Sequence, residues 1–108
     1  MIEPLGPLES AADDAIKSWP DVRAKNVFGH RGYVRSGKMF AFIADDGLSF
    51  KAATAADAEA LYESGAAAPF VYHGEMEMRG WPVLSVEDDE QLASALTAVR
   101  AAYEAVGR

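Results

Sequence analysis

Residues 37–51, GKMFAFIADDGLSFK, include eight Met, Phe, Ala, Ile or Leu residues, more than one face of a sheet needs. Every position from 39 to 44 is apolar, so the apolar–polar alternation of a half-buried strand is missing. A strand with two apolar faces belongs in the interior of a sheet, and the pattern therefore predicts a central strand over 39–44. Its alternating side chains fall into two sets: Phe40, Phe42 and Ala44 on one face, and Met39, Ala41 and Ile43 on the other.

Shorter strands flank this one and are separated from it by turn signals. Apolar and polar residues alternate over 22–27, and a second strand at 33–35 ends in a Ser-Gly turn at 36–37. The residues Asp-Asp-Gly at 45–47 turn the chain into a strand at 48–51. Because tight turns join neighbouring strands that run in opposite directions, we predict an antiparallel meander.

Two further strands are expected in the second half of the chain. The first lies within AAAPFVYHG and has Phe70 and Tyr72 on one face, with Val71 and His73 on the other. The second runs from Trp81 to Val86. Pro82 cannot donate a ladder hydrogen bond, so this strand either lies at the sheet edge or contains a bulge.

Apolar residues spaced three and four apart predict three helices. The first spans roughly residues 8–18 and ends before Pro20. The second follows the cap residue Thr54 and stops at Gly65. The third begins after Asp88 or Ser85 and carries one straight apolar seam, formed by Leu92, Leu96, Val99, Tyr103 and Val106.

The resulting order is helix, strands, helix, strands, helix, which indicates one α+β domain over residues 1–108. We expect two layers, an antiparallel meander sheet with helices packed mainly on one face. The closing helix has a single seam and covers one sheet face, so the second apolar face of the central strand needs another cover. Three parts could cover this face: the first helix through Ile16 and Trp19, the segment 76–81 if it folds back across the sheet, or a second copy of the chain.

A homodimer is the working hypothesis, because an uncovered apolar patch marks an interface. The expected interface consists of Met39, Ala41, Ile43, Met76, Met78 and Trp81. The methionines and tryptophan of GEMEMRGW form an adaptable contact patch if they are exposed. If they are buried, they pack beneath a hairpin.

The composition excludes several kinds of site and location. The chain has no Cys, which excludes disulfides, thiolate metal sites and thiol nucleophiles. The N-terminus lacks the basic and apolar regions of a signal peptide, and no apolar run approaches the ~18 residues of a membrane span. We therefore expect a cytoplasmic protein with no membrane contact.

The charge is unevenly distributed along the chain. The formal net charge is -7, yet residues 17–51 hold seven Lys or Arg and three Asp. The candidate contacts for an anion or a nucleic acid are Arg23, Lys25, Arg31, Arg35 and Lys38. A nucleic-acid-associated regulator that uses this basic segment is the first alternative function. The acidity of the rest of the chain opposes direct contact with nucleic acid, so edge strands that carry Lys and Arg against aggregation are the favoured explanation of the bases.

Catalytic chemistry has little support in the sequence. The two histidines, His30 and His73, lack the HExxH or related spacing of a metal site, and no Ser lies in a GxSxG turn. His30 is expected to face solvent in the GHRG bend at 29–32, which is a weak candidate for an anion cradle. A small enzyme that pairs His73 with Glu75, or with the Asp45 and Asp46 carboxylates, is the second alternative function. We assign no catalytic, cofactor or metal residue.

The order of these motifs resembles the N-terminal domain of the TfoX/Sxy competence regulators over roughly residues 20–106. Most of the pattern is present in sequence order, although His30 stands where the family commonly has a second Gly. The matching positions are Val27, Phe28, Gly29, Tyr33, Gly37, Lys38, Met39, Phe40, Ile43, Ala44, Asp45, Lys51, Pro69, Phe70, Tyr72 and Trp81.

This resemblance implies a two-layer α+β fold to which no catalytic residue is attached. It also implies a non-enzymatic interaction or regulatory module related to transcriptional regulators, with no cofactor and with a protein or a second copy as its partner. Full-length regulators of the family carry a further helical domain. The 108-residue chain has no room for that domain, so we expect it to act as a stand-alone N-terminal-type domain.

Overall fold

Six strands and three helices make up the part of the chain that the structure describes. The structure, a computed structural model, describes residues 6–27, 29–44, 47–72, 74 and 76–107. The helices are α1 (Pro7–Lys17), α2 (Ala55–Ser64) and α3 (Asp89–Val106). The strands are β1 (Val22–Val27), β2 (His30–Arg35), β3 (Lys38–Ala44), β4 (Gly47–Phe50), β5 (Ala68–Tyr72) and β6 (Met76–Ser85). The predicted order of helix, strands, helix, strands, helix is confirmed.

The six strands form one antiparallel sheet with the order β1-β2-β3-β4-β6-β5. The first four strands are a meander, as predicted, and β3 lies in the interior of the sheet. The chain then leaves β4, runs through α2 and enters β5 at the edge, so that β6 fills the place between them. This crossover needs a helix because β4 and β5 run in the same direction.

Local capping sets the ends of the helices. The Thr54 hydroxyl accepts a hydrogen bond from the Asp57 N–H at 3.1 Å, and the Asp88 carboxylate accepts one from the Gln91 N–H at 2.8 Å. Gly65 ends α2 in the left-handed region, with φ of 79°. The predicted bounds of α2 and α3 are therefore confirmed, since the residues chosen as caps act as caps.

A bulge in β3 overturns the predicted assignment of its two faces. Tyr33 pairs with Ala41 and Val34 pairs with Met39, so Phe40 is an extra residue that has no partner on β2. An extra residue of this kind breaks the strict alternation of side chains. Phe40 therefore shares a face with Ala41 and Ile43, whereas Phe42 and Ala44 share the opposite face with Met39. The prediction that alternation runs unbroken from 39 to 44 is wrong.

The larger core lies between the sheet and the helices, and we call it the helix-side core. Its centre is Phe40, Val99 and Tyr103, with the Phe40 and Tyr103 rings 5.5 Å apart. The Trp19 ring lies 5.2 Å from that of Tyr103, and Ile16 is fully buried in the same cluster. Helix α1 therefore packs on the same side as α3 and does not cover the other face of β3. Leu61 brings α2 to this side as well.

Long-range polar contacts close the helix-side core. The Tyr103 hydroxyl donates to the Pro20 carbonyl oxygen at 2.7 Å, a contact that spans most of the chain. Arg35 donates to the Tyr103 carbonyl oxygen at 3.0 Å and lies 4.0 Å above the centre of the Tyr103 ring. Tyr103 therefore links α3 both to the β1 entry loop and to β2.

A smaller second cluster lies on the opposite face of the sheet, where strand curvature brings distant strands together. The Phe42 ring on β3 lies 4.8 Å from the Phe70 ring on β5, although β4 and β6 separate these strands. Three strand spacings in a flat sheet correspond to roughly 14 Å. The sheet is therefore strongly curved, and this face is its concave side.

Strand β6 supplies part of the cover of this concave side. It begins at Met76, five residues before the predicted start at Trp81. The Trp81 ring lies 5.5 Å from that of Phe42. Segment 76–81 does not fold back across the sheet, as one of the three predicted covers required, because it is part of β6 and pairs with β5 in the same sheet. Only side chains of this segment, such as Trp81, lie over the concave side. The bulge alternative for Pro82 is also confirmed, since the register shifts just after the Pro69–Pro82 pair.

We expect Gly47→Ala to lower the free energy of unfolding by about 2–3 kcal/mol, the usual cost of forcing extra volume into a close-packed site. A Cβ at this position would overlap the Leu84 carbonyl oxygen of the neighbouring strand. The control is Gly80→Ala, since a Cβ there meets no atom within 4 Å. Urea denaturation of both variants provides the measurement. Equal midpoints for the two variants would contradict the close approach of β4 to β6.

Candidate interaction surface

The concave side of the sheet is the strongest candidate for a functional surface. We call it the concave face. It consists of Met39, Phe42, Ala44, Phe70, Tyr72, Met78, Trp81 and Val83. All of these residues lie on strands β3, β5 and β6, so none of the described helices contributes to it.

The concave face has a buried centre and a partly exposed rim. Phe42 is fully buried and Phe70 is 9% exposed, because each ring lies against the other and against its neighbours. Met39, Tyr72, Met78 and Trp81 around them are half-buried. At the end of the β5–β6 hairpin, Met76 is 64% exposed and lies opposite Tyr72, whereas the exposed Val71 projects from the other side of β5. Flexible and aromatic side chains therefore meet solvent in one continuous area.

His30 belongs to the border of this face and does not lie free in a turn. It is the first residue of β2, and its ring lies 5.9 Å from that of Phe42 and 5.7 Å from that of Phe70. The side chain is half-buried. The prediction that His30 faces solvent in a bend is wrong, because β2 begins three residues earlier than the pattern indicates. Because residues 30–32 belong to β2, GHRG does not form the loop that the candidate anion cradle requires.

The structure divides the six predicted interface residues between the two faces. Met39, Met78 and Trp81 lie on the concave face, and Met76 lies exposed beside it. Ala41 and Ile43 are 0% and 6% exposed and lie in the helix-side core. The bulge at Phe40 is the reason, because it moves these two residues to the opposite face from Met39.

The five predicted anion contacts also separate into two groups. Arg23, Lys25 and Lys38 are exposed. Arg31 instead pairs with Asp13, and Arg35 is held by the Tyr103 carbonyl and ring. These two arginines therefore serve to join helices to β2, which leaves fewer charges for a ligand than the sequence indicates.

Asp13 is the centre of a buried polar cluster that sequence reasoning missed. Its carboxylate accepts hydrogen bonds from the Tyr33 hydroxyl at 2.6 Å and from the Arg31 side chain, and it pairs with the Lys17 ammonium at 3.0 Å. The residue is only 6% exposed. The cluster connects α1 to β2, because the side chains of Tyr33, Arg31 and Lys17 all donate to the same carboxylate. The one signal in the sequence was the placement of Asp13 four residues before Lys17 and beside the apolar stripe of the helix.

Two opposing effects set the pKa of Asp13. Burial raises the pKa, whereas hydrogen bonds from Tyr33, Arg31 and Lys17 lower it, and the lowering prevails. Burial and the hydrogen bond to Asp13 raise the pKa of the Tyr33 hydroxyl well above its usual value of 10.0. The carboxylate is therefore ionised and the phenol neutral at physiological pH, which suits a structural link.

Within the described ranges, no three His, Asp or Glu side chains come together in a way that could hold a metal ion. The carboxylate and histidine pairs considered for catalysis, at 45–46 and at 73 and 75, lie outside the described residues. No helix of the described chain is long and apolar enough to cross a bilayer.

Comparison with known protein families identifies the family of this domain. A profile of the TfoX N-terminal domain matches residues 14–106. The match covers most of the chain, so the chain belongs to the TfoX N-terminal domain family, and the resemblance seen in its motifs is confirmed. No curated protein matches the chain.

We expect Asp13→Ala to lower the free energy of unfolding at neutral pH by about 2–3 kcal/mol, because the Tyr33 hydroxyl and Arg31 lose their shared acceptor. The conservative variant Asp13→Asn removes the negative charge and keeps the size of the side chain, so it isolates the contribution of the charge to stability. The pKa of Asp13 is lower in the folded protein than its ordinary value of 3.8, so its contribution is present above that value and is lost as pH falls through the folded pKa.

The measurement is urea denaturation from pH 7 down to the acid limit of folding. The wild-type protein should lose stability more steeply than Asp13→Asn below about pH 4. Exposed Asp14→Asn on the same helix is the matched control and should follow the wild-type curve. Parallel acid limbs for all three proteins would show that the Asp13 carboxylate does not stabilise the fold.

Proposed function

We propose that this chain is a non-catalytic regulatory module of the TfoX type that binds a partner protein through its concave face. The observation that supports this proposal is the placement of a Met- and aromatic-rich cluster on the sheet face that none of the described helices covers. Membership of the TfoX N-terminal domain family supports the regulatory role.

The composition of the concave face suits protein contact. Interfaces are enriched in Trp, Tyr, Phe and Met and are depleted in Lys, Glu and Asp at their centres. The concave face contains all four of these enriched types. Its buried Phe42–Phe70 pair provides a firm base, and the half-buried Met39, Met78 and Trp81 provide side chains that adapt to a partner.

The helix side offers a poorer surface for recognition. Its central aromatic residues are closed off, since Phe40 and Tyr103 are 0% and 3% exposed, and the half-buried Trp19 ring is covered by the Arg100 side chain. The exposed positions of α3 are small or polar, as at Ala93, Ser94 and Thr97. The two sides of the sheet therefore have different roles: the helix side stabilises the fold and the concave face recognises the partner.

Photo-crosslinking tests the proposal. We expect a benzophenone amino acid at position 39 or 76 to crosslink a partner protein in cells that express the chain. The same group at the exposed α3 position 97 is the matched control and should not crosslink that protein. Met78→Glu should weaken the crosslink from position 76. Identical crosslinks from all three positions would contradict a role for the concave face.

A second copy of the chain is one partner that this surface suits, and we expect sedimentation at micromolar concentration to show a dimer. Met39→Glu should dissociate it, because a carboxylate would be buried at the interface, whereas Thr97→Glu on the helix side should not. Ile43→Glu is not a usable probe, since Ile43 lies in the helix-side core. A monomer at every concentration would mean that the partner is a different protein.

We expect only weak binding to nucleic acid. Two of the five candidate bases are engaged within the fold, and the chain carries a net charge of -7. Titration of labelled single- and double-stranded DNA at low salt is the measurement. Sub-micromolar binding that falls steeply with salt and is lost in the Arg23→Glu, Lys25→Glu double variant would support the nucleic-acid alternative.

A further inference from the structure

Strand β1 presents a free sheet edge. It is the outermost strand on one side of the sheet, and all six of its residues pair with β2 in continuous register. The four residues from Arg23 to Asn26 are exposed, although their side chains alternate between the two faces. The outer edge of β1 therefore offers backbone N–H and C=O groups that no strand of the described chain pairs with.

The register places both β1 bases on the same side as the concave face. Arg23 lies opposite Val34, which lies opposite Met39. Lys25 lies opposite Gly32, which lies opposite Phe42. Because directly paired residues share a face, Arg23 and Lys25 project on the concave side of the sheet.

These two bases are not neutralised within the fold. Neither forms an ion pair with any acid of the described ranges, in contrast to Arg31 and Arg79. They are separated by one residue and therefore stand two strand positions apart on one face. This spacing matches that of alternate acidic side chains on an adjacent strand.

The opposite sheet edge is less suited to strand addition. Strand β5 contains Pro69, which has no N–H, and its register shifts after that residue. Both features interrupt a regular ladder. Strand β1 has neither a proline nor a register shift.

The charge of β1 also disfavours a second copy as the added strand. In an antiparallel pair of β1 strands related by a two-fold axis at Ala24, Arg23 would lie directly opposite Lys25 of the second copy. Like charges in directly opposed positions destabilise a strand pair. An acidic segment would instead gain attraction at both positions.

We propose that the free edge of β1 binds an acidic, extended segment of another protein, which adds to the sheet as a seventh strand. Main-chain hydrogen bonds to β1 supply the binding energy, and Asp or Glu at alternate positions of the segment contact Arg23 and Lys25. No residue of β1 belongs to the set that defines the concave face. A failure of the proposed function would therefore not contradict this proposal.

The test uses a short fluorescent peptide in which Glu alternates with Thr and Val, and a matched peptide in which Lys replaces Glu. Fluorescence anisotropy with the full chain should show binding of the acidic peptide alone, weakening as salt rises. The Arg23→Glu, Lys25→Glu double variant should lose at least about tenfold in affinity for the acidic peptide and should gain affinity for the Lys peptide. The control Lys51→Glu removes an exposed base that follows β4 and should bind as the wild type does.

Alternate N-methylation of the peptide separates strand addition from simple charge attraction. Methyl groups on the amides that face β1 should abolish binding, whereas methyl groups on the other set should leave it nearly unchanged. Hydrogen exchange should show new protection of the β1 amides on binding. Equal binding of both methylated peptides would overturn the proposal, as would failure of the acidic peptide to bind.

Discussion

The extra residue in β3 is the constraint on which the architecture depends. A regular strand that paired without a bulge would direct Phe40 and Phe42 to the same side of the sheet. The bulge directs Phe40 to the helices, where it meets Trp19 and Tyr103, and leaves Phe42 for the concave face. Each ring removes on the order of 150–250 Å² from water. One short strand thereby supplies the central aromatic residue of both clusters.

The sequence pattern predicts much of the architecture because local rules govern it. Thr54, Asp88 and Gly65 act through contacts with residues only a few positions away, so their roles can be read directly from the sequence. The central position of β3 also follows from the sequence, since an unbroken apolar run requires cover on both faces.

The features that could not be predicted depend on contacts between distant parts of the chain. The bulge at Phe40 is not visible in the pattern, because Met39–Ala44 is apolar at every position and strict alternation fits it equally well. The Phe42–Phe70 contact requires the curvature of the whole sheet. Asp13 resembles any acidic residue of an amphipathic helix until its position against Tyr33, twenty residues away, is known. Two of the six predicted interface residues, Ala41 and Ile43, therefore lie on the opposite face of the sheet from the other four.

The two faces and the β1 edge give the molecule distinct surfaces with different chemistry. The helix side is closed by aromatic packing and by arginines that join helices to β2. The concave face is apolar and adaptable, while β1 is positively charged and extended.

Tyr103 near the end of the chain contacts Pro20 near its start, so the helix-side core can be completed only after α3 has been synthesised. As the chain is synthesised from its N-terminus, all residues of the concave face have been made once Val83 is present, whereas the helix-side core still lacks α3. The concave face therefore has its full set of side chains before the element that closes the main core exists. Until α3 docks, Phe40 and Ile43 lack their main cover, and this is the interval in which the nascent chain is most prone to aggregation.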